Sequence, residues 1–224
     1  MMAHHSPIVN TGDAYTSRLV DALRVAAELH AAQRRKGSGV PYLAHLLGTC
    51  SIALEYGADE DEAIAALLHD AIEDVEPVEK ARTAVAAFGE RVLHIVEGCT
   101  DTDEHPKPPW QARKQAYIDH LAEADASVLL VSAADKLHNA RSISADLRSH
   151  GAATWDRFTG GREGSLWYYR ALVDAFRANP AHHEALVEEL DRAVSEMEAL
   201  AQTEHGMNST DDEPTRRPMT FMSS

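Results

Sequence analysis

A chain of 224 residues, 44% hydrophobic and 25% charged, has enough apolar content for one well-buried core and is ordinary for a globular domain. Its formal charge of −15 argues against a nucleic-acid polymer as the main partner, yet permits a small anion held by a local cationic pocket or a metal. No apolar run approaches the roughly 18 residues a membrane span needs, and the start MMAHHSPIVNTGDAY has no signal-peptide character. Two cysteines, Cys50 and Cys99, offer no disulfide framework, so a reducing cytoplasm is expected.

Residues 1–12 and 203–224 are polar and lack helical periodicity, which predicts a weakly structured arm and tail around a domain at 13–202. Between them apolar residues recur with a 3.6-residue period and no segment alternates as a strand does. The first helix is expected over 15–33, followed by a loop at Lys36-Gly-Ser-Gly-Val-Pro41. A second helix covers 44–56 and stops at Gly57. Asp59 and Glu62 form a capping box for a third, which reads without interruption through AIAALLHDAIED until Pro77. Helices at 78–88 and 90–99 meet at Gly89, and the Pro- and acid-rich segment 100–109 is a loop. Further helices are expected at 110–123, 125–148, 164–177 and 181–202, giving an all-α bundle of about nine helices.

The third helix carries the strongest anomaly. Ala63–Leu68 is apolar nearly all round, as a buried central helix must be, and it leads into His69, Asp70, Glu73 and Asp74. On a continuous helix Asp70, Glu73 and Asp74 share one face near the C-terminus, where the macrodipole disfavours anions, so a cation is needed. A solvated helix end with a core histidine would account for these residues equally well. Asp135 is a second anomaly, because it closes the apolar run Ser127–Ala134 and a buried carboxylate must be paired or bind metal. Its own neighbours Lys136 and His138 are the simplest partners, but adjacent helical positions diverge by about 100°, which makes Lys136 a poor one. His45, after Pro41-Tyr-Leu-Ala, stands where the glycine loop reaches the core. A structural role is the bland alternative. Together His45, His69, Asp70 and Asp135 supply two imidazoles and two carboxylates, a set suited to Mn²⁺, Fe²⁺ or Zn²⁺.

The pattern His45…His69-Asp70…Asp135 resembles the signature of the HD phosphohydrolase superfamily. The wider strings His30–Lys36, Pro41–His45, Ala66–Asp74, Phe88–Val92 and Ala134–Arg141 resemble the hydrolase domain of RelA/SpoT-type alarmone enzymes and stand-alone small alarmone hydrolases. The resemblance spans about residues 15–145. It implies that the four residues bind a metal, usually Mn²⁺, and that Glu73 and Asp74 position and activate the attacking water. It further implies that Arg35 and Lys36 hold the base region while Asn139 and Ser142 line the nucleoside pocket. The implied reaction removes the 3′-pyrophosphate of (p)ppGpp, or of an adenine analogue, with a small anionic nucleotide as partner. Val75 and Ser142 stand where the family often has threonine. Lys114, Arg141 and Arg148 face either solvent or a polyphosphate, with solvent favoured. Core packing is favoured for Trp167, Tyr168 and Tyr169 over a pocket cap. Two other functions fit the same metal ligands: a phosphatase for nucleoside monophosphates or the 2′-phosphate of NADPH, and a catalytically silent nucleotide-binding regulator. The oligomeric state is left open.

Overall fold

The computed structural model describes residues 15–104 and 106–208. Among these the chain is all α-helical, with no strand and one isolated bridge between Arg34 and Pro41. The helices are α1 (Ser17–Leu29), α2 (Leu43–Glu55), α3 (Glu60–Leu68), α4 (Ala71–Asp74), α5 (Val78–Ala86), α6 (Glu90–Cys99), α7 (Trp110–Leu121), α8 (Ala126–His150), α9 (Gly161–Ala178) and α10 (Glu184–Asn208). A 3₁₀ helix, Gly151–Arg157, joins α8 to α9. All nine expected helices are present, the third in two pieces. The last runs past residue 202 to Asn208, while the arm at 1–12 and the tail beyond 208 lie outside the described residues.

Two helices organise the core. All six residues Ala63–Leu68 of α3 are buried, with α1, α2, α6 and α8 packed around them. The 25-residue α8 runs the length of the domain against α2, α3, α6, α9 and α10. Caps fix where both begin. Asp59 and Glu62 form the reciprocal capping box of α3, satisfying two otherwise orphaned N–H groups. The Asp125 carboxylate accepts from Ser127 N and Val128 N at the start of α8. Arg91 then reaches Asp59, Glu62 and Ser127, so one guanidinium ties the two starts together. Gly57, at φ +91°, ends α2 in the left-handed conformation expected of it.

Two features depart from the sequence reading. The first helix stops at Leu29, because His30 turns out of it and hydrogen-bonds Gln33, opening a loop that returns at Pro41. The third breaks at His69-Asp70, where Asp70 adopts φ −94° and ψ 0° and restarts the chain as the four-residue α4. Toward the C-terminal end, Tyr168 and Tyr169 are buried as expected. Trp167 is instead 37% exposed, packed edge-on against Trp110. Asn179 fastens the α9–α10 turn to the end of α7, its Nδ2 donating to the carbonyls of Leu121, Ala122 and Ala124.

Candidate metal centre

Helices α2, α3 and α8 deliver His45, His69, Asp70 and Asp135 to one point. His45 Nε2 lies 3.4 Å from Asp70 Oδ2 and 3.1 Å from Asp135 Oδ1, and His69 Nε2 lies 3.0 and 3.5 Å from the same two oxygens. His69 and Asp70, adjacent in the chain at the break between α3 and α4, thus reach the same point. Such separations are those of neighbouring ligands sharing an ion at about 2.1 Å. His69 Nδ1 lies 2.9 Å from Ala66 O, a bond it makes as donor, which leaves the Nε2 lone pair facing the cluster. That Nε2 is buried and makes no hydrogen bond of acceptable geometry. The donor set therefore fits a divalent cation, which is the charge the electrostatics call for.

The charges point the same way. Burial opposes ionisation of His69, yet Asp70 and Asp135 outweigh it and hold the imidazolium well above the usual histidine range. Burial likewise opposes the Asp70 carboxylate, but His69 and His45 bring it well below the usual range. For Asp135, Lys136, His45 and His69 overcome burial in the same direction. The cluster thus favours positive charge at its centre. The Tyr42 hydroxyl donates to Asp70 Oδ2 at 2.6 Å, and burial together with the Asp70 charge keeps that phenol protonated.

Asp135 is fully engaged. Its Oδ1 accepts from Asn139 Nδ2 at 2.6 Å, and its Oδ2 pairs with Lys136 Nζ at 2.5 Å. The expectation that Lys136 would be a poor partner is overturned. Its Nζ lies over the Tyr117 ring, 5.1 Å from the centroid, and the 100° offset matters little for so flexible a chain.

The acidic pair on α4 has partners of its own outside the four-residue cluster. Glu73 Oε1 is 2.9 Å from Lys107 Nζ and 3.7 Å from Arg113, while Asp74 accepts from Gln33 Nε2 at 2.9 Å. Cations from the 100–113 region, which the sequence reading did not single out, therefore offset these acids in part. Lys114, expected to face solvent, is mostly buried against Asp101 (2.5 Å) and over the Tyr168 ring. Arg141 and Arg148 are exposed and pair with Glu189 and Glu196 of α10.

Of the four expected nucleotide contacts, Arg35 and Asn139 meet, Arg35 Nη2 donating to Asn139 Oδ1 at 2.8 Å. Lys36 is exposed on the same loop, and its carbonyl accepts from Arg157 Nη1 at 3.3 Å. Ser142 bonds back to His138 O one turn earlier on α8. Asn139 thus links the glycine loop to Asp135.

The HD domain family matches residues 22–165. The chain belongs to the HD-domain family. Among relatives of this HD-domain chain, the guanosine-3′,5′-bis(diphosphate) 3′-pyrophosphohydrolase MESH1 of Drosophila melanogaster is 30% identical over 184 residues, 79% of this chain and 94% of the relative. A probable guanosine-3′,5′-bis(diphosphate) 3′-pyrophosphohydrolase of Synechocystis is 36% identical over 129 residues, 54% of this chain and 16% of that one. The chain thus spans only about a sixth of the length of such long relatives. A solved structure of a metazoan ortholog of SpoT, described as hydrolysing ppGpp and acting in starvation responses, superimposes with a TM-score of 0.64 at 29% identity. It covers 79% of this chain and 95% of its own.

One residue beside the centre of this HD-domain protein was passed over as a functional group in the sequence. His138 Nδ1 lies 2.9 Å from His45 Nδ1, and burial, with His45 and Arg35 adding to it, pushes the His138 pKa down to about 4. Its spacing three residues after Asp135 was the available signal.

Proposed function

We propose that the protein is a divalent-metal-dependent pyrophosphohydrolase that removes the 3′-pyrophosphate from (p)ppGpp or an adenine analogue. The observation that carries this reading is the convergence of four donor atoms from His45, His69, Asp70 and Asp135, in a chain alignable over 94% of a pyrophosphohydrolase of similar length. Those four residues hold the ion, with Mn²⁺ as the preferred metal. When bound, a divalent ion lowers the pKa of a coordinated water and polarises a phosphoryl oxygen.

The remaining work falls to the chain. Glu73 and Asp74, within one turn of Asp70, accept or orient the proton of the attacking water. Lys107 and Gln33 hold the two carboxylates in place, so neither is free to swing away. Lys107 and Arg113 also set positive charge beside Glu73 in a strongly acidic protein, which favours an anionic substrate there. Arg35, Lys36, Asn139 and Ser142 receive the nucleoside. No described helix is long and apolar enough to cross a membrane.

Incubation of the Mn²⁺-loaded protein with ppGpp, ppApp, NADPH and nucleoside monophosphates, with products identified, tests the reading. Pyrophosphate and GDP from ppGpp are expected. Orthophosphate from NADPH or a monophosphate would make it a phosphatase, and binding without turnover would make it a regulator.

A further inference from the structure

Metal-ligating histidines are usually oriented by a carboxylate, a backbone carbonyl or water on the ring nitrogen away from the metal. His69 follows that pattern through Ala66 O. His45 does not. Its Nδ1 meets the Nδ1 of a second imidazole, His138, at 2.9 Å, with ring centroids 4.9 Å apart and planes tilted by 51°. For His45 to offer its Nε2 lone pair to an ion, its proton must sit on Nδ1, and His138 Nδ1 must accept it.

Gly48 makes this arrangement possible. It lies in the interior of α2, one turn after His45, where glycine costs helix stability. A Cβ there would stand 2.2 Å from His138 Cδ2 and 2.3 Å from His138 Nε2. Only a residue without a side chain lets the His138 ring lie against α2 deeply enough to reach His45. The Ser142 hydroxyl, bonded to His138 O, adds a contact on the same turn of α8.

We infer that His138 is a positioning residue for the metal centre, fixing the tautomer and ring orientation of His45 through an Nδ1-to-Nδ1 hydrogen bond, and that Gly48 provides the space it needs. This rests on the reading of His45 as a metal ligand. It assigns a role to the histidine of the Leu-His-Asn string that neither substrate contact nor catalysis uses.

The test is Mn²⁺ affinity of the full chain, followed by the paramagnetic resonance signal of free Mn²⁺, with thermal melting in EDTA as the control for folding. His138→Ala should weaken Mn²⁺ binding by about 10- to 100-fold, the usual effect of losing such a partner. His138→Asn, which keeps an acceptor oxygen near the Nδ1 position, should recover most of that loss. A purely structural role predicts no such rescue. Gly48→Ala should weaken binding comparably, because the ring must move, and should have no further effect in the His138→Ala background. Unchanged Mn²⁺ affinity in His138→Ala overturns the inference. So does a His138→Asn variant as impaired as the alanine, or a Gly48→Ala effect that persists without His138. A wild-type protein that binds no divalent metal would overturn both this inference and the metal reading beneath it. Tight wild-type binding with an indifferent His138→Ala variant would remove the inference alone.

Discussion

Replacing Lys136 by methionine keeps the length and apolar stem of the side chain while removing the ammonium 2.5 Å from Asp135 Oδ2. The two side chains are 15% and 7% exposed, so the carboxylate left behind cannot turn to water. Breaking a buried pair from one side costs about 3–5 kcal/mol. Asn139 Nδ2 and the two imidazoles still face Asp135, which places the expected cost near the lower end, about 3 kcal/mol. For a protein of this size that corresponds to a fall in Tm of roughly 6–12 °C in EDTA. A cation at the centre supplies positive charge to the other oxygen of Asp135, so Mn²⁺ should raise the Tm of K136M more than that of the wild type. Asp135→Asn removes the charge needing compensation, and K136M in that background should cost far less than it does alone. Differential scanning calorimetry of the four proteins, with EDTA and with Mn²⁺, checks all three statements. A fall below about 3 °C, or an equal fall with and without metal, would refute the idea that Lys136 neutralises Asp135.

Glu73→Gln should lower kcat by about 10²- to 10⁴-fold while metal content, read by plasma emission spectrometry, stays at the wild-type level. In metal-free protein the raised pKa of His69 contributes stability that is complete below 6.5 and is lost as pH rises through the folded value. The lowered values of Asp70 and Asp135 contribute above 3.8 and are lost as pH falls through theirs. Urea unfolding in EDTA should therefore show a cluster contribution that is greatest between about pH 4 and 6.5. It should decline above that range, while Mn²⁺ affinity rises as His69 gives up its proton. Flat stability from pH 6 to 9 would contradict the assignment. Asn179→Ala strips the donor from three carbonyls and should cost about 1–3 kcal/mol in urea unfolding with Mn²⁺ affinity unchanged. Gly37→Ala introduces a Cβ 2.0 Å from Arg157 Cδ at a φ of +84°. It should raise KM with little change in kcat, and an unaltered KM would separate that loop from substrate binding.

The sequence disclosed the helical class because apolar spacing dominates every long segment, and it pointed to the residues that converge at the candidate centre because His69, Asp70 and Asp135 sit at the ends of runs that must be buried. What it concealed are contacts set by long flexible side chains and by distant segments. Nothing local to Asp135 says that the Lys136 ammonium settles between it and the Tyr117 ring, or that Arg35 crosses to Asn139 over 104 positions of sequence. The chain break at His69-Asp70 was equally hidden, since His, Asp, Ala and Ile carry no helix-stopping signal. Glu73 and Asp74 looked like acids awaiting a cation at the centre, whereas Lys107 reaches them from a loop whose prolines hide its direction and Arg113 approaches Glu73 from the first turn of α7.

Arg157 bonds the carbonyl of Lys36, pairs with Asp146 of α8 and fills the space above Gly37. The loop bearing Arg35 and Lys36 is therefore clasped by the turn that follows α8, while the four metal-facing side chains come from α2, α8 and the break after α3. The loop and the four-residue cluster thus have separate anchorages in the chain. If the chain acts as proposed, substitutions around 151–157 should alter its nucleotide preference while leaving the four clustered side chains where they are.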